Sequence, residues 1–295
     1  MYSYKNIKKI AENYANDEVL LMFGKIFQSL AIAMAVVILL PSLSGAQDDV
    51  PTETRRITAP PSMDRPYDVL HIKDGGNKVV NPKSGNTVFQ KGPDRRFHWE
   101  LIELALYHAH VTVIPSGTVK LEKRIEIPTS YTTLVIGPDA TLTGEGAERV
   151  GEGVGDVIKN IRRDHVNIFN LGTIDTGGEM GTAVTFDGRS GGKLGINGGL
   201  IFQAGTIKGT HTGHWLIDCM NVHVPLMWSR DWGGSSVLVH EGNEDLEVGF
   251  IAGLKTGKAQ GEGEVQDVQP RNKRTRINYL VGTLLEGQDE ILDIN

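Results

Sequence analysis

Val111-Thr-Val-Ile-Pro-Ser-Gly-Thr-Val-Lys-Leu121, then Ile125-Glu-Ile-Pro128 and Thr133-Leu-Val-Ile-Gly-Pro-Asp-Ala-Thr-Leu-Thr-Gly144, is the stretch on which the fold turns. Each piece is a short β-branched run cut by Gly or Pro, which is strand chemistry with no space for a helix between the strands. The pattern recurs downstream. Leu134-Val-Ile136, Val166-Asn-Ile168, Val222-His-Val224, Leu246-Glu-Val248 and Ile277-Asn-Tyr279 are apolar-x-apolar triplets at steps of 32, 56, 24 and 31 residues, the step of 56 reading as two units. A second signature follows most of them: Gly117-Thr-Val, Ala140-Thr-Leu, Gly172-Thr-Ile, Gly205-Thr-Ile and Gly282-Thr-Leu. Self-similarity at this period marks a stack of units, each burying its inward residues against its neighbours. A doubly wound α/β fold is excluded, which leaves a parallel β-solenoid or an antiparallel sandwich. Hairpin chemistry speaks against the sandwich, since Asn197-Gly198 is the only Asn-Gly in the repeat region and sits among glycines.

Outside the repeats, Leu30–Leu40 is an 11-residue apolar run behind Lys25, followed by Pro41 and the small residues Ser44-Gly45-Ala46. This predicts a secretory signal over 1–46, cut after Ala46, with translation starting at Met22. The alternative is an uncleaved anchor, for which the run is short against the ~20 residues a spanning helix needs. Residues 47–66 are polar and proline-rich, the composition of a linker, and the domain proper is 67–295. One helix is predicted over 94–109, with Asp94 as cap and Phe97, Leu101, Leu104, Ala105, Ile102, Leu106 and Ala109 on its apolar face. The formal net charge of −6 disfavours a general nucleic-acid binder, which needs a basic surface. With Cys219 as the sole cysteine no disulfide forms within the chain, and a lone thiol on an alternating apolar run reads as a small buried hydrophobe.

The segment 111–144, with its Pro-x-Gly-Thr between apolar strands behind a helix, resembles the opening coils of right-handed parallel β-helix proteins of the pectin-lyase-like superfamily. His165-Val-Asn-Ile-Phe-Asn-Leu-Gly-Thr-Ile-Asp175 and His214-Trp-Leu-Ile-Asp-Cys-Met-Asn-Val-His-Val224 resemble later coils, so the likeness spans roughly residues 93–250. It implies an all-β fold, a single-stranded right-handed parallel β-helix with an N-terminal capping helix. It leaves chemistry open, because that superfamily holds lyases, hydrolases, epimerases and non-enzymatic adhesins. The polygalacturonase-type branch is disfavoured: its Asn-Thr-Asp, Asp-Asp, Gly-His-Gly and Arg-Ile-Lys motifs are all absent from the repeat region, and Asp48-Asp49 lies in the linker.

Capable side chains are densest over 211–241: His211, His214, Asp218, His223, Trp228, Arg230, Asp231, Trp232, His240 and Glu241. If Val222 and Val224 point inward, His223 points out, and the same alternation over Val237 and Val239 turns His240 out. His223 and His240 near Arg230 and Asp231 are the expected catalytic set for removing a proton α to a carboxylate, with Trp228 and Trp232 as sugar platforms. Asp218, Asp231, Glu241, Glu244 and Asp245 supply oxygens for a Ca²⁺ ion, though no spacing fixes them as ligands and no cofactor is certain. The expected partner is an acidic polysaccharide, and the expected location is secreted or periplasmic, with no membrane contact after signal cleavage. Three functions stay open: a lyase or epimerase on an acidic glycan, a non-catalytic glycan-binding or surface β-helix, and a truncated inactive relative. The ending Ile291-Leu-Asp-Ile-Asn295 carries no polar cap, so a homo-oligomer covering the last coil is a further expectation.

Overall fold

A computed structural model of the chain describes residues 65–92, 97–144, 155–176, 181–189, 195–209, 212–230, 237–239, 242–254, 266–268 and 276–282. They belong to one compact unit, Asp64–Asn295. The predicted signal and the linker up to residue 64 lie outside them, and no described helix is long and apolar enough to cross a membrane.

The described residues are mostly strand. The chain opens with β1 (Tyr67–Lys73), a 3₁₀ turn (Asp74–Gly76), β2 (Lys78–Val80) and β3 (Thr87–Gln90), then α1 (His98–His108), the one α-helix among the described residues. There follow β4 (Ala109–Lys120), β5 (Ile125–Glu126), β6 (Thr133–Thr143), β7 (Gly155–Ile161), β8 (Val166–Asn170), β9 (Thr173–Asp175) and β10 (Gly181–Asp187). Next come β11 (Ile196–Gln203), β12 (Thr206–Lys208), β13 (Thr212–Ile217), β14 (Cys219–Arg230) and β15 (Val237–Val239). The last are β16 (Glu247–Leu254), β17 (Gln266–Val268) and β18 (Arg276–Gly282).

Two sheets result. A twelve-stranded sheet has the order β18-β16-β14-β11-β8-β6-β4-β1-β2-β3, with β9 and β12 paired beside it, and a six-stranded sheet has the order β17-β15-β13-β10-β7-β5. From β4 onward the chain returns again and again from one sheet to the other, and each strand pairs parallel with its predecessor in the same sheet. Among the described pairs, antiparallel pairing is confined to β1–β2 and β2–β3. Parallel neighbours cannot be joined by tight hairpins, and here the connection is made through the opposite sheet. The antiparallel sandwich is therefore ruled out as the alternative architecture.

The repeated signatures stack in register. Thr118 pairs with Thr141, Thr141 with Thr173 and Thr173 with Thr206, so Val119, Leu142, Ile174 and Ile207 form one buried column. The step of 56 residues does hold two units, because β11 lies between β8 and β14. Small residues ahead of the threonines let the backbones close up: a Cβ on Gly172 would lie 2.2 Å from the Gly137 carbonyl oxygen, and one on Gly205 would lie 2.1 Å from that of Gly172. The core lies on the inward parity of both sheets, with Leu134, Ile136, Ile168, Val222, Val224 and Val248 from the larger and Ile125, Ile158, Val184 and Phe186 from the smaller.

α1 begins at His98, four residues later than the sequence suggests. Asp94 lies outside the described residues, and the N-cap is Phe97, whose N–H donates to the Glu100 carboxylate at 3.3 Å. Leu101, Ile102, Ala105 and Leu106 are buried as expected, whereas Phe97 is 42% exposed and stacks on Trp99 instead of entering the core.

Candidate functional site

Alternation along β14 buries Val222 and Val224 and turns His223 outward. Register then places His223 beside Glu247 of β16, and their side chains meet at 3.2 Å, Nδ1 to Oε2, each about half exposed (52% and 50%). With Nδ1 donating to the carboxylate, Nε2 is left as the basic atom facing solvent. The pair belongs to a row running across the larger sheet through Thr133, Asn167, Leu200, His223 and Glu247, with Arg276 at the next register position. Asn167 Nδ2 donates to Thr133 Oγ1 at 3.3 Å along this row. Two residues further along β6, β8 and β11, and three along β14, β16 and β18 past a register shift, a second row passes through Val113, Val135, Phe169, Phe202 and Leu226, with Phe250 and Tyr279 at the following positions. The Phe169 and Phe202 rings lie 6.0 Å apart, tilted by 40°. The outward parity of this sheet thus sets hydrogen-bonding side chains next to apolar ones at the ~4.8 Å strand spacing, with Phe169 nearly buried (7% exposed) and Phe202 partly exposed beside it.

The rest of the sequence-predicted set is distributed as follows. Trp228 and Arg230 lie on β14 opposite Ala252 and Leu254, with their side chains outside the described residues. Asp231, Trp232, His240, His211 and Glu241 lie outside the described residues altogether. His214 is corrected: it pairs with Val184 and Val237 on the inward parity of β13, is 0% exposed, and belongs to the core rather than to an outer constellation. Burial holds its imidazole down to about 4, so it is neutral at physiological pH, with a minor opposing contribution from the Gly213 backbone. Cys219 is buried, its thiol pushed well up by burial and aimed at the Ile217 carbonyl 3.3 Å away. Among the described residues no three His, Cys, Asp or Glu side chains come together as metal ligands, so Asp218, Glu244 and Asp245 do not by themselves build a Ca²⁺ site.

Sequence reasoning missed Glu247 as the partner of His223. The signal was available, because Leu246-Glu-Val248 and Val222-His-Val224 are two of the stacked triplets and superimposing them sets the glutamate beside the histidine. It also missed a buried ionic group on the smaller sheet. Lys159 Nζ lies 3.5 Å from Asp156 Oδ2 and 3.4 Å from Asp187 Oδ2. Thr185 Oγ1 donates to Asp156 at 2.8 Å, and Arg189 grips Asp187 through Nε (2.9 Å) and Nη2 (2.7 Å), with its guanidinium 5.8 Å from the Trp215 ring centroid. Burial raises the Asp156 carboxyl despite Thr185 and Lys159. Burial also acts to raise Asp187, but the Arg189 hydrogen bonds and charge outweigh it and hold that carboxyl below its ordinary value. Each carboxylate here is engaged by a cation or hydroxyl, so the group ties β7 to β10 and offers no open basic atom like that of His223.

Comparison with protein-family models, with curated proteins and with solved structures finds no match to this chain.

Proposed function

We propose that the chain is an exported right-handed parallel β-helix that acts on an acidic polysaccharide lying across the strands of the larger sheet. The reaction is the lyase or epimerase type, in which a base removes the proton α to a uronate carboxylate. The observation that carries this reading is the His223–Glu247 pair, a half-exposed imidazole oriented by a carboxylate on an outer face. In it, His223 Nε2 takes the proton and Glu247 positions the ring. Arg230 neutralises the substrate carboxylate, Asp231 and His240 complete the acid and base groups, and Trp228 and Trp232 are sugar platforms. In the lyase form the C–H electron pair expels the glycosidic oxygen, which leaves with a proton, and a carbon–carbon double bond remains in the sugar. The chain's passage between two parallel sheets supports the β-helix, and the apolar run before Ala46 supports export from the cell.

A second reading, non-catalytic glycan binding, draws support from the Phe169–Phe202 stripe beside Asn167 and Thr133. The test is incubation of the full chain with a panel of acidic polysaccharides, with and without Ca²⁺, following the absorbance of the unsaturated sugar and, in D₂O, deuterium entering the polymer. The enzymatic reading requires one of these signals to fall by roughly 10²–10⁴-fold in His223→Ala and by less in Glu247→Gln. No signal, with a glycan retained and then released by Phe202→Ala, would replace it with the binding reading.

A further inference from the structure

β5 is the outermost described strand of the smaller sheet, and β7 covers only one of its edges. The Ile127 N–H donates to the Lys159 carbonyl at 2.9 Å, so by alternation the Glu126 N–H points away from β7. It is satisfied by the helix: Glu103 Oε1 on α1 accepts it at 2.7 Å, filling the place of a strand partner with a carboxyl group. The Glu126 carboxylate is itself held by Arg124, whose Nε and Nη2 both reach Oε1, at 2.8 and 2.6 Å. Facing Glu103 are Glu100 from its own helix and Lys123 and Glu126 from the segment packed against it, with Arg124 on the Glu126 carboxylate and Lys159 at the register position beside Glu126. Lys123 Nζ leans 5.0 Å from the Trp99 ring centroid.

We propose that the Glu103–Glu126 contact is a proton-operated latch, in which α1 is clamped to the open edge of the smaller sheet while Glu103 is neutral and loosens when it ionises beside the Glu126 carboxylate. A neutral carboxyl keeps its carbonyl oxygen as acceptor for the backbone N–H, so the closed form loses no hydrogen bond on protonation. Burial is the main cause that raises Glu103 to about 7, with Glu126 and Glu100 adding to it and the Glu126 N–H and Lys123 opposing. A carboxyl raised on closure contributes its stability fully below the ordinary carboxylate range and loses it as pH climbs through about 7. The latch therefore tightens on acidification and slackens above neutrality.

Hydrogen exchange read by mass spectrometry on the full chain, corrected for intrinsic rates, tests this. Protection of 98–108 in the native sequence is expected to fall roughly tenfold between pH 6 and pH 8, while that of 181–187 does not change. In Glu103→Gln, which keeps the acceptor without the charge, the fall disappears. In Glu126→Gln the fall is smaller and is complete at a lower pH, because the neighbouring carboxylate that helps to raise Glu103 is gone. A flat profile in the native sequence, or a fall that survives Glu103→Gln, overturns the latch. If Glu103→Gln unfolds the helix at every pH, the direction of the Glu126→Gln shift decides.

Discussion

His214 and His223 stand nine residues apart on consecutive strands of different sheets, one sealed at 0% exposure in the core and the other half exposed beside a glutamate. The same contrast divides the carboxylates: Asp156 and Asp187 are enclosed with Lys159 on the smaller sheet, while Glu247 stands on the outer face of the larger one. Side-chain chemistry is alike in each comparison, and strand parity and the neighbouring rows decide the outcome. Where a charged group is enclosed and fully engaged it fastens strands together, and where it stands half exposed on an outer face a ligand can reach it.

The contrast is broken most severely at Lys159. In Lys159→Met two nearly buried aspartates lose their shared cation, and breaking one partner out of a buried ion group costs about 3–5 kcal/mol. Urea unfolding at pH 7 should show that loss, and it should shrink at pH 4 as Asp156, whose carboxyl is already raised, takes up a proton. A loss below about 1 kcal/mol would make the group a surface pair in energetic terms.

His214 sharpens the comparison from the other side. Its folded value of about 4 lies below the ordinary 6.5, so the unfolded chain binds more protons between these limits. Stability is complete above about 6.5 and declines as pH falls toward 4, by about 3 kcal/mol for a fully enclosed ring. His214→Leu should flatten that acid limb in denaturation curves measured from pH 7 to pH 4, and an unchanged slope would place the acid sensitivity elsewhere.

The smallest expected effect is at the exposed pair. His223→Ala should change the unfolding free energy by less than about 1 kcal/mol, as half-exposed ion pairs do. A loss as large as that of Lys159→Met would make His223 a structural residue and weaken its proposed role as a base.

Much of this arrangement was legible before any coordinate. The Gly-Thr signatures predicted a stack, and Thr118, Thr141, Thr173 and Thr206 do stand in register. Alternation over Val222-His-Val224 turned His223 outward correctly, yet grouping by chain proximity put His214 in the same constellation when parity sends it inward. The Asp156–Lys159–Asp187 group escaped notice because its members are joined across strands β7 and β10 by register, which one strand's pattern does not contain. Phe97 was assigned to the helix face by spacing alone, but it precedes the first helical turn and its extended backbone aims it at Trp99.

The antiparallel ribbon of β1, β2 and β3 bears on how copies of this chain can meet. Every strand from β4 onward offers its neighbour a parallel partner, whereas β3, the last described strand at its end of the larger sheet, runs against the strand beside it. Two reversals bring β3 back to the direction of β1 and of the parallel strands beyond it, so the ribbon does not by itself bar a second molecule from prolonging the column with its chain direction preserved. Two such rims that join strand to strand in antiparallel sense generate a two-fold axis and close on themselves, whereas a head-to-tail contact made there in parallel sense leaves growth open, so the sense of the pairing at β3 decides between a closed pair and a filament.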